Sequence, residues 1–312
     1  MLAFNRPDTT AKVLQSLRVV HPDRVFFAVD GPRGGVEGER ERVLEVQRLA
    51  ESIDWDCEVR TLFRNGNLGC KVAVSQAISW FFDSVEAGIV LEDDCIAHPS
   101  FFPFAAELLQ RFREDARVCM ISGDNFQFGR HHTPYSYYFS RYTHIWGWAT
   151  WRRAWRLYDH AMALWPELRD RGWLQDVLED SGAASYWSRI FETTWADRNA
   201  SWAYRWIFCA WANGALTVLP SGNLVSNIGF GGAATHTLNR RNKFASLPLE
   251  AMSFPLRHPP DVIRDASADS FTQRHMFTIP WWRRLAAGAY RFLRQPDEAR
   301  SGTQGNRHNS RP

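Results

Sequence analysis

Over its first 125 residues the chain alternates short apolar runs with amphipathic stretches of helical period, which commits it to βαβ units around a parallel sheet. The apolar runs predict strands over 2–4, 25–29, 58–63, 88–91 and 118–121. Between them, a helix capped by Asp8 is expected to carry Val13, Leu14 and Leu17 on one side, and further helices are expected over 37–52, 71–82 and 100–112. The fold class is therefore α/β. A central strand needs about five or six residues, whereas the opening run supplies only Met1 to Phe4. That shortfall predicts a strand that continues upstream of Met1.

The composition changes from about Tyr135 onward, and eleven of the fifteen tryptophans fall between Trp146 and Trp211. A second unit or an elaborated lobe is expected there, followed by a strand over 216–219 and a Gly-, Asn- and Ser-rich loop from Pro220 to Thr237 of the kind that often carries function. The organisation read from this is 1–125, 126–245 as the other half of the same globular domain, and 246–312 as a C-terminal extension. With 45% hydrophobic residues, a chain of 312 residues can bury a large core. A net charge of +3 is too small to point to nucleic acid. Five scattered cysteines without a Cys-x-x-Cys pair indicate neither a disulfide framework nor a zinc site, and fit a reducing cytoplasm. No apolar run approaches the roughly 18 residues that span a bilayer. Near the end, Trp282, Leu285, Ala289 and Leu293 share one helical face, and seven arginines against two acids from Trp281 onward suit an interfacial helix on anionic lipid, or one docked on the protein surface. The polar tail from Gly302 is expected to be disordered.

Functional candidates cluster at strand ends, where α/β sheets bind ligands. Gly88-Ile89-Val90-Leu91 ends in Glu92-Asp93-Asp94. Alternation sends Glu92 and Asp94 to one side and Asp93 to the other unless the following turn re-aims them. Such hard oxygens suit Mn²⁺ or Mg²⁺; an acidic solvated turn or a helix cap is the alternative. Asp30 ends the second predicted strand before Gly31-Pro32, as a ligand contact or a turn former, and Arg6 follows the first, placed to hold base or phosphate. At Asn65-Gly66-Asn67-Leu68-Gly69-Cys70-Lys71 a glycine turn opens a helix, so backbone N–H groups and Lys71 are candidates to face an anion, although the P-loop signature is missing. His236 is a candidate to complete a metal shell or reach a diphosphate, against a plain loop histidine. Most tryptophans should be core, with one or two, Trp148 and Trp202 foremost, stacking on an acceptor sugar.

Taken together, Phe4-Asn5-Arg6-Pro7, Asp30, Asn67-Leu68-Gly69 and Leu91-Glu92-Asp93-Asp94-Cys95 followed by Phe101-Phe102 resemble the A-fold nucleotide-sugar glycosyltransferases. Trp146 to Trp151 and Asn223 to Gly231 resemble segments of bacterial members, and the first half is similar to N-acetylglucosaminyltransferase I. The likeness covers residues 1–245. It implies a Rossmann-like mixed sheet with helices on both faces and a Trp-rich acceptor-side lobe. It also implies a metal at Asp94, donor sugar and ribose or metal-bound water at Glu92 and Asp93, and nucleotide at Arg6 and Asp30. The expected activity is transfer from a nucleoside diphosphate sugar, a UDP-sugar foremost, to a hydroxyl of a bacterial surface glycan or lipid-linked precursor, in the cytoplasm or peripherally on the membrane's inner face. One departure stands out: where related chains carry Trp-Asp-Tyr-Gln-Trp, this one has Trp202-Ala203-Tyr204-Arg205-Trp206, with alanine in place of an acid. Asp197 and Asp176 are the nearby candidates for the catalytic base. A sugar nucleotidyltransferase would need a Gly-rich activating loop after the first strand, which Phe4-Asn5-Arg6-Pro7-Asp8 does not supply, and Ala203 leaves room for a non-catalytic glycan binder.

Overall fold

The computed structural model describes residues 1–230 and 243–277. His236, the basic helix expected over 281–294 and the polar tail lie outside the described residues. The first half runs β1 (Leu2–Ala3), α1 (Pro7–Arg18), β2 (Arg24–Val29), α2 (Glu39–Arg48), β3 (Glu58–Phe63), α3 (Gly69–Ser84) and β4 (Ala87–Val90). It continues through β5 (Cys95–Ala97), α4 (Phe101–Arg111) and β6 (Val118–Ser122). The Trp-rich stretch adds β7 (Tyr137–Ser140), β8 (Trp148–Trp151), α5 (Arg152–Trp155), α6 (Trp165–Asp170), α7 (Trp173–Leu178), α8 (Ser181–Trp195) and α9 (Ala203–Ala212). Then come β9 (Leu216–Pro220), β10 (Val225–Asn227) and α10 (Ala266–Met276).

β1, β2 and β3 are parallel, with Leu2 opposite Ala28 and Val29 opposite Phe63. A parallel bridge from Leu2 to Glu92, closed by the Leu2 N–H on the Leu91 carbonyl (2.8 Å), joins them to the set β4-β8-β6-β9-β7. Across the molecule the order is β3-β2-β1-β4-β8-β6-β9-β7. The sheet is mixed because β8 runs antiparallel to β4 and β6, and β7 antiparallel to β9. Alternation along β2 explains why helices cover both faces: Val25, Phe27 and Val29 pack on Val43 and Val46 of α2, while Phe26 and Ala28 join Ala77 and Ile78 of α3 in the main core. Burying a side chain such as Phe27 contributes roughly 1.5–3 kcal/mol.

That main core runs without a break into the Trp-rich stretch, where Trp148, Trp165, Trp187 and Trp206 are fully buried. Several expected boundaries shift. α1 begins at Pro7, whose missing N–H suits the first turn; Arg6 is its N-cap without a side-chain capping bond, and Asp8 lies in the first turn instead of capping it. The stretch expected as one helix over 37–52 ends as α2 at Arg48 and tightens into a 3₁₀ turn over Leu49–Ser52. The loop expected from Pro220 holds β10, which pairs antiparallel with β5, Asn227 opposite Cys95. This small ribbon grips the residues that follow the acidic triplet.

Candidate active site

The carboxyl ends of β1, β2 and β4 open on a cavity of about 400 Å³ lined by Arg6, Asp30, Glu92, Asp93 and Asp94, with Leu2, Ala28, Ala73 and Ala77 among its apolar residues. The chain reaches this point for local reasons. β4 stops at Val90, and the triplet turns immediately into β5, held by the Cys95 N–H on the Glu92 carbonyl (3.1 Å). The turn overrides strand alternation. Asp93 and Asp94 both point to Arg6, the first in a very short ion pair and the second at 2.9 Å, so the expected split of the triplet between two sides is not what forms. Asp93 also accepts from the Phe4 N–H (3.1 Å), which ties β1 to the triplet.

The second grip on Asp94 comes from β10. Asn227 Nδ2 donates to Asp94 Oδ1 (3.1 Å), the Ile228 N–H donates to the Asp94 carbonyl (2.8 Å), and the Gly229 N–H donates to Asn227 Oδ1 (2.8 Å). A β-carbon on Gly229 would sit 2.0 Å from Asp94 Oδ2 and 2.7 Å from Arg6 Nη1, so only glycine lets the backbone approach this ion pair. Burial works against the Arg6 charge, but Asp93 and Asp94 outweigh it and hold the guanidinium above its ordinary range. Glu92 titrates above the usual carboxylate range, first because it is buried and then because Asp94 and Asp93 repel its charge. Its Oε1 is buried without a hydrogen-bond partner.

Asp30 lines the cavity but already accepts from the N–H groups of Gly31 (2.9 Å), Leu68 (3.1 Å) and Gly69 (3.1 Å) and from Asn67 Nδ2 (2.9 Å). The Leu68 and Gly69 N–H groups that open α3, expected to face an anion, are thus taken by Asp30. Lys71 does not line the cavity either; its ammonium pairs with Asp197. Two cations without an assigned role in the sequence reading do line it. Arg33 is clamped by buried Glu39 and lies over the Phe4 ring at 5.6 Å, and Arg64 has no ion pair among the described residues. Each follows a parallel strand closely, which is the signal that could have identified them.

The tryptophan expectations are corrected. Trp148 and Trp202 are buried against one another at 5.8 Å inside the core, and an enclosed ring cannot stack on a sugar. Trp146 lines the cavity instead, its ring edge-on to Phe230 at 5.6 Å. Gly147, at φ 76°, turns the chain between the two rings. The Trp146 N–H donates to Asp124, an acid missed in the sequence: it is fully enclosed, one oxygen lacks a partner, and burial pushes its titration far above the usual range. Neither expected base lines the cavity. Asp176 is exposed on α7, and Asp197 is pulled below the usual carboxylate range by Lys71 and Arg205, the wrong direction for taking up a proton.

Among the described residues, no three His, Cys, Asp or Glu side chains are arranged as a metal shell. The residues nonetheless suit the sparser grip typical of Mg²⁺, in which one or two carboxylates hold the ion and phosphate and water complete its coordination. Asp94 supplies one carboxylate, and the unpartnered Oε1 of Glu92 is the oxygen the triplet has to spare.

No protein-family model matches the chain, and no curated protein matches it in sequence. Among solved structures it is similar to the mannosyltransferase PcManGT from Pyrobaculum calidifontis in complex with GDP-Man and Mn²⁺, at TM-score 0.38 and 11% identity over 68% of this chain and 69% of that one. It is also similar to HddC from Yersinia pseudotuberculosis, at TM-score 0.28 and 8% identity over 49% of this chain and 76% of that one.

Proposed function

We propose that the chain is a glycosyltransferase that moves a sugar from a nucleoside diphosphate donor, a UDP-sugar foremost, to a hydroxyl of a glycan or lipid-linked glycan. One observation carries this reading: the acidic triplet, Arg6 and Asp30 line one cavity at the carboxyl ends of three neighbouring parallel strands. The nucleoside lies against Leu2, Ala28 and Ala77. Asp30 acts mainly by fixing the Asn67-Leu68-Gly69 turn that walls the nucleoside, and any contact it makes with the donor is made while so engaged. Arg64 and Arg33 add positive charge where the diphosphate would otherwise be repelled by the acids. Arg6 holds Asp93 and Asp94 in place, and Trp146 and Phe230 offer apolar faces to a sugar. A bound Mn²⁺ or Mg²⁺ at Asp94 would offset the charge that develops on the departing diphosphate. Glu92, whose Oε1 is buried without a partner, is proposed to hold that ion or its water beside Asp94.

A second reading, a glycan binder without transferase activity, is favoured by Ala203 at the first position of α9 and by the salt-bridged state of Asp197. Calorimetric titration with UDP, with and without Mn²⁺, separates the two. Transfer predicts nucleotide binding at least tenfold tighter with Mn²⁺ in the native chain and no such gain in Asp94→Asn. Absence of nucleotide binding under both conditions would leave the glycan binder.

A further inference from the structure

The sheet ends on one side in an edge that nothing covers among the described residues. β3 pairs with β2 alone, and five of its six residues are exposed. At the other end β7 is buried, bridged by Arg264 and packed against Ala268 of α10. Proteins blunt an open edge with proline, lysine, a bulge or a very short strand. β3 has none of these: it runs Glu58-Val59-Arg60-Thr61-Leu62-Phe63 in unbroken register with β2. Its apolar Val59 and Phe63 are each 38% exposed.

The ladder fixes which peptide groups of β3 are free. The N–H groups of Glu58 and Arg64 donate to the Asp23 carbonyl (2.9 Å) and the Val29 carbonyl (3.1 Å), so the even-numbered residues turn their peptides toward β2, and Val59, Thr61 and Phe63 turn theirs outward. The two faces are equally distinct. Phe63 meets Phe27, which packs on α2, whereas Arg60 lies over Phe26 and Arg64 reaches Gln76 of α3. Val59, Thr61 and Phe63 therefore share the α2 side, and Glu58, Arg60 and Arg64 the α3 side.

We propose that β3 is a self-association edge, at which a second copy of this chain adds its own β3 antiparallel about a two-fold axis through Thr61. An antiparallel partner must set outward peptides against outward peptides, which admits few registers. With Thr61 opposite itself the whole strand pairs: Val59 meets the partner's Phe63, an apolar pair on the α2 side, and Glu58 meets the partner's Arg64, opposite charges on the α3 side. The next register on either side places Arg60 opposite the partner's Arg60 or the partner's Arg64, and like charges repel. Larger slips leave half or more of β3 unpaired. The exposed pair that Glu58 makes with Arg60 in the single chain (2.6 Å) contributes little in water, so exchanging it costs little. A strand pair of this length buries less than the roughly 1,200 Å² of a standard interface, so association in the micromolar range is expected.

Sedimentation velocity of the full chain across the micromolar range tests this. The native chain is expected to pass from monomer to dimer as its concentration rises. Thr61→Pro removes an outward N–H and none that β2 uses, and is expected to weaken the dimer at least tenfold with a thermal midpoint near the native one. Glu58→Lys is expected to weaken it as well, by facing the partner's Arg64 with a like charge, and Glu58→Lys combined with Arg64→Glu to restore it. Oxidation reads the register separately. In Thr61→Cys the two thiols fall on a hydrogen-bonded pair about 5.5 Å apart between Cα atoms, within disulfide reach, whereas in Arg60→Cys they lie diagonally and out of reach. A covalent dimer is expected from the first and not from the second. A native chain that stays monomeric, a dimer unchanged by either single substitution, or cross-linking at residue 60 as readily as at 61 would overturn the proposal; another part of the chain or a different protein covering β3 would show as the first of these. None of the readouts involves nucleotide, so the outcome is independent of the transferase reading.

Discussion

Two ion pairs sharing Arg6 organise the site at the residue scale. Arg6 offsets part of the charge of Asp93 and Asp94 in a place where either acid alone would be costly, and Gly229 is the residue that lets β10 close over them. Gly229→Ala should therefore displace Asp94 or Arg6 while leaving the fold intact, because the atoms it meets are side-chain ends in a lining and not backbone. We expect UDP affinity to fall at least tenfold, about 1.4 kcal/mol, with a thermal midpoint close to that of the native chain. An unchanged affinity would mean that the Asp94 and Arg6 positions do not matter to nucleotide. The acidic residues of this site were legible in the sequence because they sit beside an apolar strand. Asn227 and Gly229 were not, because their contact with Asp94 spans 133 residues of chain in the case of Asn227.

Elements decide what the tryptophans do. β8 points Trp148 into the packed core, where it lies among Trp155, Trp202 and Trp206, whereas the turn at Gly147 directs Trp146 into the cavity. Trp148→Ala should cost about 3–5 kcal/mol in unfolding free energy. Trp146→Ala should cost less than half of that and weaken ligand binding instead; denaturant melts and UDP titrations of the two variants distinguish the roles. Composition and spacing located the Trp-rich stretch but not the direction of each ring, since residues 146 and 148 share a strand period and only the left-handed glycine between them breaks it. Five strands of the first half, β1 to β4 and β6, were readable to within a residue or two because each is a short apolar run bounded by turn formers, whereas the three-residue β5 was not. β10 was not, because three residues, Val225–Asn227, are too few to show a period and owe their strand form to β5.

The whole molecule carries buried ionisable groups whose cost falls on global stability. His144 is enclosed, lies tilted against Phe126 at 4.6 Å between ring centroids, and leaves Nε2 without a partner; burial depresses it to about 3. Its folded value lies below the ordinary 6.5, so the unfolded chain binds a proton there before the folded one does, and stability is lost as pH falls from about 6.5 toward 3. Chemical denaturation at pH 6 and pH 4 should show a steeper loss in the native chain than in His144→Gln, by about 1.4 kcal/mol per pH unit; equal slopes would show that His144 is protonated in the folded state. The sequence by itself determined the α/β class, five of the strands of the first half and the acidic triplet at the end of one of them, because hydrophobic period and turn chemistry act over a few residues. Only the tertiary structure decided that Asn227 of β10 grips Asp94, that Asp197 is held by Lys71 and Arg205, and that Trp148 packs on Trp202. Each of those is a contact between segments far apart in the chain, and the free energy that selects it comes from packing and pairing that no local stretch contains.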